Sequence, residues 1–237
     1  MKSLLLICSI YFFLACTSSP TNKAQSAESP VPWSFSDHGV YMNEKGLSLQ
    51  GTSLIQNHLS THSLDLGALK TIYAVPATTD SVIEYKISNA LNKLNETLII
   101  LSILKKDQSD PIAELVFLSK SSPTRVPLDE LASRRNEWMK HCNEHHVAVL
   151  VSELYTPDAL YFNHKPLIKG TAEITKEYGY MNTSNYHLEL TPLHIEPVSD
   201  SLIYEIGQGS GSYGGKYILV WKKNAEGKWM VYMDSNI

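Results

Sequence analysis

The chain has 237 residues, 43% of them hydrophobic, with 24 acidic against 20 basic side chains and a net charge of −4. That is enough apolar material for one or two globular domains, and no block of clustered Lys and Arg is present to meet phosphates, so nucleic acid is not expected as a partner. Of the three cysteines, Cys8 and Cys16 fall in the first residues and Cys142 stands alone further on, which excludes a disulfide framework.

The chain opens with Met1 and Lys2, an apolar run from Leu4 to Leu14, then Ala15, Cys16 and a polar stretch. The run is too short to span a bilayer as a helix, and its layout is that of a secretory signal. The Cys placed directly after Ala15 resembles the bacterial lipobox, with an aromatic Phe13 where an aliphatic residue is usual. That resemblance implies a lipoprotein signal peptide over residues 1–16, lipidation of Cys16 and an address in the bacterial cell envelope, at the outer membrane. A plain cleaved signal is the alternative. Residues 17–32 are rich in Ser, Pro, Ala, Asn and Gln and read as a flexible tether.

Beyond the tether the sequence repeats itself. Tyr41, Asn43 and Lys45 recur as Tyr161, Asn163 and Lys165; Gly51, Thr52 and Ile55 recur as Gly170, Thr171 and Ile174. Asp80, Ser81 and Ile83 return as Asp200, Ser201 and Ile203, and Lys105 and Lys106 as Lys222 and Lys223. Four blocks at nearly one offset point to two copies of one fold unit, over 33–120 and 124–237, divided at the polar, proline-containing stretch from Lys120 to Thr124.

The second unit is the more complete. Pro127 opens a helix with Asp129 and Glu130 in its first turn; Leu131, Trp138, Cys142 and Val149 follow at helical spacing, and Val147, Leu150 and Leu154 continue an apolar stripe. A turn over Tyr155–Asp158 leads to a strand from Ala159 to Phe162, then a short helix from about Thr171 to Tyr178. Four extended segments follow, near 186–197, 201–213, 216–223 and 228–234, the last two joined by a hairpin turn over Asn224–Gly227. The first unit has the same order without the opening helix, and its last strands, Thr97–Leu104 and Ile112–Leu118, are more apolar.

The order of long helix, Asp-containing turn, strand, glycine-started short helix and closing meander resembles the nuclear transport factor 2-like superfamily, in particular its SnoaL-like and ketosteroid-isomerase-like branch. Trp138, Tyr155, Asp158, Ala159, Gly170, Ile174, Tyr217, Trp221, Lys222, Gly227, Trp229, Asp234 and Asn236 carry the resemblance. It implies an α+β fold of two tandem cones, each a strongly curved antiparallel sheet wrapped around helices. It also implies an apolar pocket in the mouth of the cone and sheets that pair, either as an internal pseudo-dimer or as a homo-oligomer. The second unit is expected to keep the hollow pocket, with Trp138, Tyr161, Asn163, Tyr204 and Asp234 near it.

Tyr161 and Asn163 also have a folding reading, since they recur as Tyr41 and Asn43 in the copy that lacks the helix; Asp158, after a proline, has one too. The expected role is binding of a small apolar ligand or of a protein. The alternative is a cofactor-free enzyme isomerising, cyclising or dehydrating a small carbonyl compound, and a third reading is a pure assembly surface.

His141, Glu144, His145 and His146 form the densest titratable cluster. On one continuous helix His141 and His145 would lie one turn apart, but spacing identifies no third ligand, so neither metal nor cofactor is expected. Gly207, Gly209, Gly211, Gly214 and Gly215 lack the following helix that a phosphate loop needs and read as bends of a curved sheet.

Overall fold

The computed structural model describes residues 33–62, 66–106, 111–122 and 124–237; the signal peptide, Cys16 and the tether expected over 1–32 lie outside the described residues. No helix among the described residues is long and apolar enough to cross a membrane.

The two halves have the same order of elements. The first contains β1 (Ser34–Asn43), β2 (Ser48–Gln50), α1 (Thr52–Thr61), β3 (Lys70–Pro76), β4 (Ile83–Leu91), β5 (Thr97–Lys106) and β6 (Pro111–Lys120). The second opens with α2 (Leu128–Asn143) and α3 (Val147–Leu154). It then repeats the plan with β7 (Tyr155–Phe162), β8 (Ile168–Lys169), α4 (Thr171–Glu177), β9 (Leu188–Ser199), β10 (Leu202–Gly211), β11 (Lys216–Lys223) and β12 (Trp229–Ser235). Each half forms a six-stranded sheet, ordered β2-β1-β6-β5-β4-β3 and β8-β7-β12-β11-β10-β9. The sheets are mixed rather than wholly antiparallel: the last strand returns beside the first and runs parallel to it, β6 with β1 and β12 with β7.

The repeated residues hold equivalent places. Gly51 and Gly170 precede α1 and α4 at φ 92° and 82°, a left-handed backbone that a side chain resists, and Ile55 and Ile174 are the fully buried residues those helices contribute. Tyr41 and Tyr161 both point to the helix-covered face of their sheets.

Strand alternation separates two layers of core. In the second half, Ile203, Tyr217, Leu219, Trp221 and Val231 face the helices and pack with Leu131, Trp138, Leu150 and Leu154. The opposite faces of the two sheets meet each other: Val40, Tyr85, Leu101 and Phe117 of one pack with Phe162, Tyr204, Val220 and Tyr232 of the other. Phe117 stands edge-on to Tyr204 and Tyr232, at 5.7 and 6.0 Å between ring centres. Gln50 adds polar ties at the sheet edges, donating to the Lys165 carbonyl at 3.2 Å and accepting from the Leu167 amide at 2.8 Å. The apolar character of β5 and β6 follows directly: both lie inside the first sheet, with side chains buried on both faces.

The apolar stripe of the second half does not form one helix. α2 stops at Asn143, and His145 takes a positive φ of 60° before α3 begins. The segment over Tyr155–Asp158, expected as a turn, is the start of β7.

Candidate functional site

The structure brings some of the expected pocket residues together and separates others. Trp138 and Asp234 line a cavity of about 30 Å³ in the second half, with Tyr178, Tyr213, Tyr217 and Asn236 among their neighbours. Tyr161 sits one layer away, edge-on to Tyr178 at 5.0 Å, and donates to Asn236 Oδ1 at 2.7 Å. Asn163 lies beyond the end of β7, where its Nδ2 donates to Glu177 Oε1 at 3.3 Å. Tyr204 is on the other face of its sheet, in the layer between the sheets, donating to Ser119 Oγ at 2.7 Å. Its inward neighbour on β10 is Glu205.

Bulges explain why parity does not reveal these orientations. The register of β12 breaks between Val231 and Met233, so Val231 and Asp234, three residues apart, both face inward.

Asp234 is the centre of a buried network. Trp138 Nε1 donates to the Tyr155 hydroxyl at 3.0 Å, Tyr155 donates to Asp234 Oδ2 at 2.8 Å, and Tyr178 donates to the same oxygen at 2.5 Å. Burial pushes the Asp234 carboxyl up to about 6, with the two tyrosine donors pulling the other way. Burial and the nearby Asp234 charge raise both tyrosines far above their ordinary value.

Sequence reasoning missed a second buried acid. Glu205, fully buried, accepts from Arg135 Nε and a terminal nitrogen at 2.8 and 2.7 Å, from the Tyr217 hydroxyl at 2.8 Å and from Trp221 Nε1 at 2.9 Å. Burial pulls the Arg135 guanidinium down, but the paired carboxylate outweighs it and holds the group above its ordinary value. The available signal was an Arg on the helix and a Glu inside an otherwise apolar strand, each at a position where a charge needs a partner.

The glycines of β10 serve as seats for rings. A side-chain carbon on Gly207 would come within 2.1 Å of the Tyr217 ring, and one on Gly209 within 2.7 Å of Tyr213. The pairing of β10 with β9 also slips at Ile206/Gly207, so close approach and bending coincide.

The space beside Asp234 is small, and the two wider openings lie elsewhere: one of about 490 Å³ beside Arg125–Glu130 at the start of α2, and one in the first half. Three helices, α2, α3 and α4, and the rings of Trp138, Tyr155, Tyr178, Tyr217 and Trp221 fill the second interior, whereas among the described residues the first sheet carries only α1. At its mouth is a cavity of about 440 Å³ between the β1–β2 turn, α1 and the β4–β5 turn.

Tyr41, Leu98 and Leu118 form the floor of this opening, and Glu44, Lys45, His58, Glu96 and Lys120 lie around them. His58 stacks on His62 at 4.3 Å; burial and the neighbouring imidazole both lower its pKa. Lys120 pairs with Glu96 at 2.6 Å. Glu44 Oε2 is buried with no hydrogen-bond partner among the described residues, and burial together with that carboxylate pushes the Tyr41 hydroxyl up to about 12. Asn43 and Asn92 hold the two turns through their side-chain oxygens, which accept backbone amides at 2.9 to 3.2 Å.

No protein-family model matches the sequence, nor does any curated protein. Among solved structures, an NTF-2-like protein of unknown function from Shewanella oneidensis MR-1 is 13% identical and covers 47% of this chain and 98% of its own, with a TM-score of 0.41. A ketosteroid isomerase-like protein from Erwinia carotovora atroseptica is 13% identical over 48% of this chain and 98% of its own, at 0.39. A domain of unknown function with a cystatin-like fold from Nostoc punctiforme is 17% identical over 47% of this chain and 78% of its own, also at 0.39. Each resembles, in fold, about half of this chain.

Proposed function

We propose that this chain is a lipid-anchored binding module of the bacterial envelope, which holds a small polar ligand at the mouth of its first cone and does not turn it over. The contrast between the filled space beside Asp234 and the open mouth of the first half carries the reading. About 30 Å³ beside Asp234 is room for little more than a water molecule, while about 440 Å³ falls in the range of small-molecule sites. Both buried acids of the second half already accept hydrogen bonds from the protein's own donors. At the first mouth, by contrast, Glu44 Oε2 is buried and accepts no hydrogen bond from the described residues.

A ligand presenting an N–H or O–H group to Glu44 and an apolar edge to Leu98 and Leu118 satisfies that arrangement. The lipid anchor rests on Ala15–Cys16 and the short apolar run before it. Native mass spectrometry of the purified chain tests the site. A co-purified small molecule retained by the wild type and by Asp234→Asn but lost in Glu44→Gln supports it, and retention in Glu44→Gln with loss in Asp234→Asn overturns it.

The raised carboxyl of Asp234 favours a second reading, acid and base chemistry in the second half. Turnover of a small carbonyl compound that vanishes in Asp234→Asn would establish it.

A further inference from the structure

The break between α2 and α3 places three ligating side chains at one corner. His141 comes from the last turn of α2, Glu144 caps its end, and His146 immediately precedes α3. Each offers one ligand atom, and these atoms lie within 4.8 Å of one another. We propose that His141, Glu144 and His146 form a binding site for a divalent transition-metal ion, with Glu153 supporting His141.

The arrangement does not follow from helical spacing. A continuous helix would pair His141 with His145, but the positive φ at His145 turns that side chain away, and its Nδ1 lies 3.1 Å from the Met181 carbonyl. The same reversal brings Glu144 and His146 beside His141.

Two imidazoles and a carboxylate are a donor set that zinc and its neighbours accept, with further positions left to water. Ligand bonds of about 2.0–2.2 Å place tetrahedral ligand atoms roughly 3.3–3.6 Å apart. His146 Nδ1 and Glu144 Oε2 are 3.6 Å apart. His141 is set for coordination: its Nε2 lies 3.4 Å from Glu153 Oε2, and its buried Nδ1 has no hydrogen-bond partner among the described residues. Glu153 is placed to orient the ring, as carboxylates beside metal-binding histidines do.

The backbone of the corner is also held. The His146 amide donates to the His141 carbonyl at 2.9 Å, and Asn182 Oδ1 accepts the Val147 amide at 3.2 Å. Glu144 and His146 are exposed, so an ion reaches the site from solvent.

Isothermal titration with Zn²⁺, using untagged full-length protein, tests the assignment, with Co²⁺ absorption as an independent report of coordination. The expected result is one ion per chain, with affinity weakened at least about tenfold by His146→Ala and by Glu144→Ala, both surface changes that leave the fold intact. His145→Asn, which tolerates the positive φ, and His187→Ala, an exposed histidine outside the three-residue cluster, are expected to bind as the wild type does. No binding by the wild type, unchanged affinity in the His146 and Glu144 variants, or equal loss in His145→Asn or His187→Ala overturns the proposal.

Discussion

Replacing Glu205 by glutamine keeps the side chain's shape and removes its charge, which isolates what the carboxylate does inside the second cone. Four donors converge on it: two guanidinium N–H groups of Arg135, the Tyr217 hydroxyl and the Trp221 indole. A glutamine amide nitrogen in place of one oxygen confronts donors with a donor. Arg135, itself buried at 5% exposure, is left as an uncompensated charge.

Breaking one side of a buried ion pair costs about 3–5 kcal/mol. At about 2–4 °C of melting temperature per kcal/mol for a chain of this size, Glu205→Gln is expected to melt roughly 6–20 °C below the wild type. Calorimetry or circular dichroism at neutral pH reads the change. The triple variant Arg135→Met, Glu205→Met, Tyr217→Phe removes the charge pair and one stranded donor together, and is expected to recover most of the loss because only the Trp221 N–H remains unpaired. A Glu205→Gln protein melting within about 2 °C of the wild type would refute the buried pair.

Asp234 makes stability depend on pH in the opposite sense to a salt-bridged carboxylate. Its folded pKa of about 6 lies above the ordinary 3.8, so the folded state binds more protons between these values and stability falls as pH rises through that window, by roughly 3 kcal/mol. Asp234→Asn is expected to flatten this part of the curve in urea titrations from pH 4 to 7; an unchanged slope contradicts the assignment. Gly207→Ala drives a methyl into the Tyr217 ring and is expected to cost about 1–3 kcal/mol, with loss of near-ultraviolet tyrosine signal. Phe117→Ala opens a cavity between the sheets and is expected to cost about 3–5 kcal/mol, detected as one cooperative transition moving down rather than one half melting alone. Cys142, fully buried and with its thiol pushed up to about 12 by burial, is expected to resist thiol reagents until the protein unfolds.

The duplication was readable because it is written in residues whose backbone roles are local. Gly51 and Gly170 must tolerate a positive φ, and Asn43 must hold a turn, so those letters persist at matching places. Alternation and turn chemistry mark the last four strands of the second half closely, but not the first half of β7 or the short β8, and the helix break is hidden because a stripe of Val147, Leu150 and Leu154 continues the apolar face of α2 without any glycine or proline between. Orientation was harder. Tyr204 and Glu205 are neighbours on one strand, and only the slips in register decide which faces the helices.

Which interior remains open was also not legible, because it depends on what fills each cone. The opening helices of the second half bring Trp138 and Leu131 into the space a ligand would use, and among the described residues the first sheet has only α1, the counterpart of α4. Glu205 was overlooked for a related reason: its partner Arg135 is distant in sequence and meets it only after helix and sheet have packed.

Carbon-detected and amide NMR with a library of small carboxylates, amines and aromatic fragments tests most directly where this protein binds. Resonances of Tyr41, Glu44, His58 and Lys120 are predicted to move together on addition of a binding fragment, while the Trp138 indole stays in place. Perturbations centred on Trp138, Tyr213 and Asp234 with the first mouth silent would contradict the account.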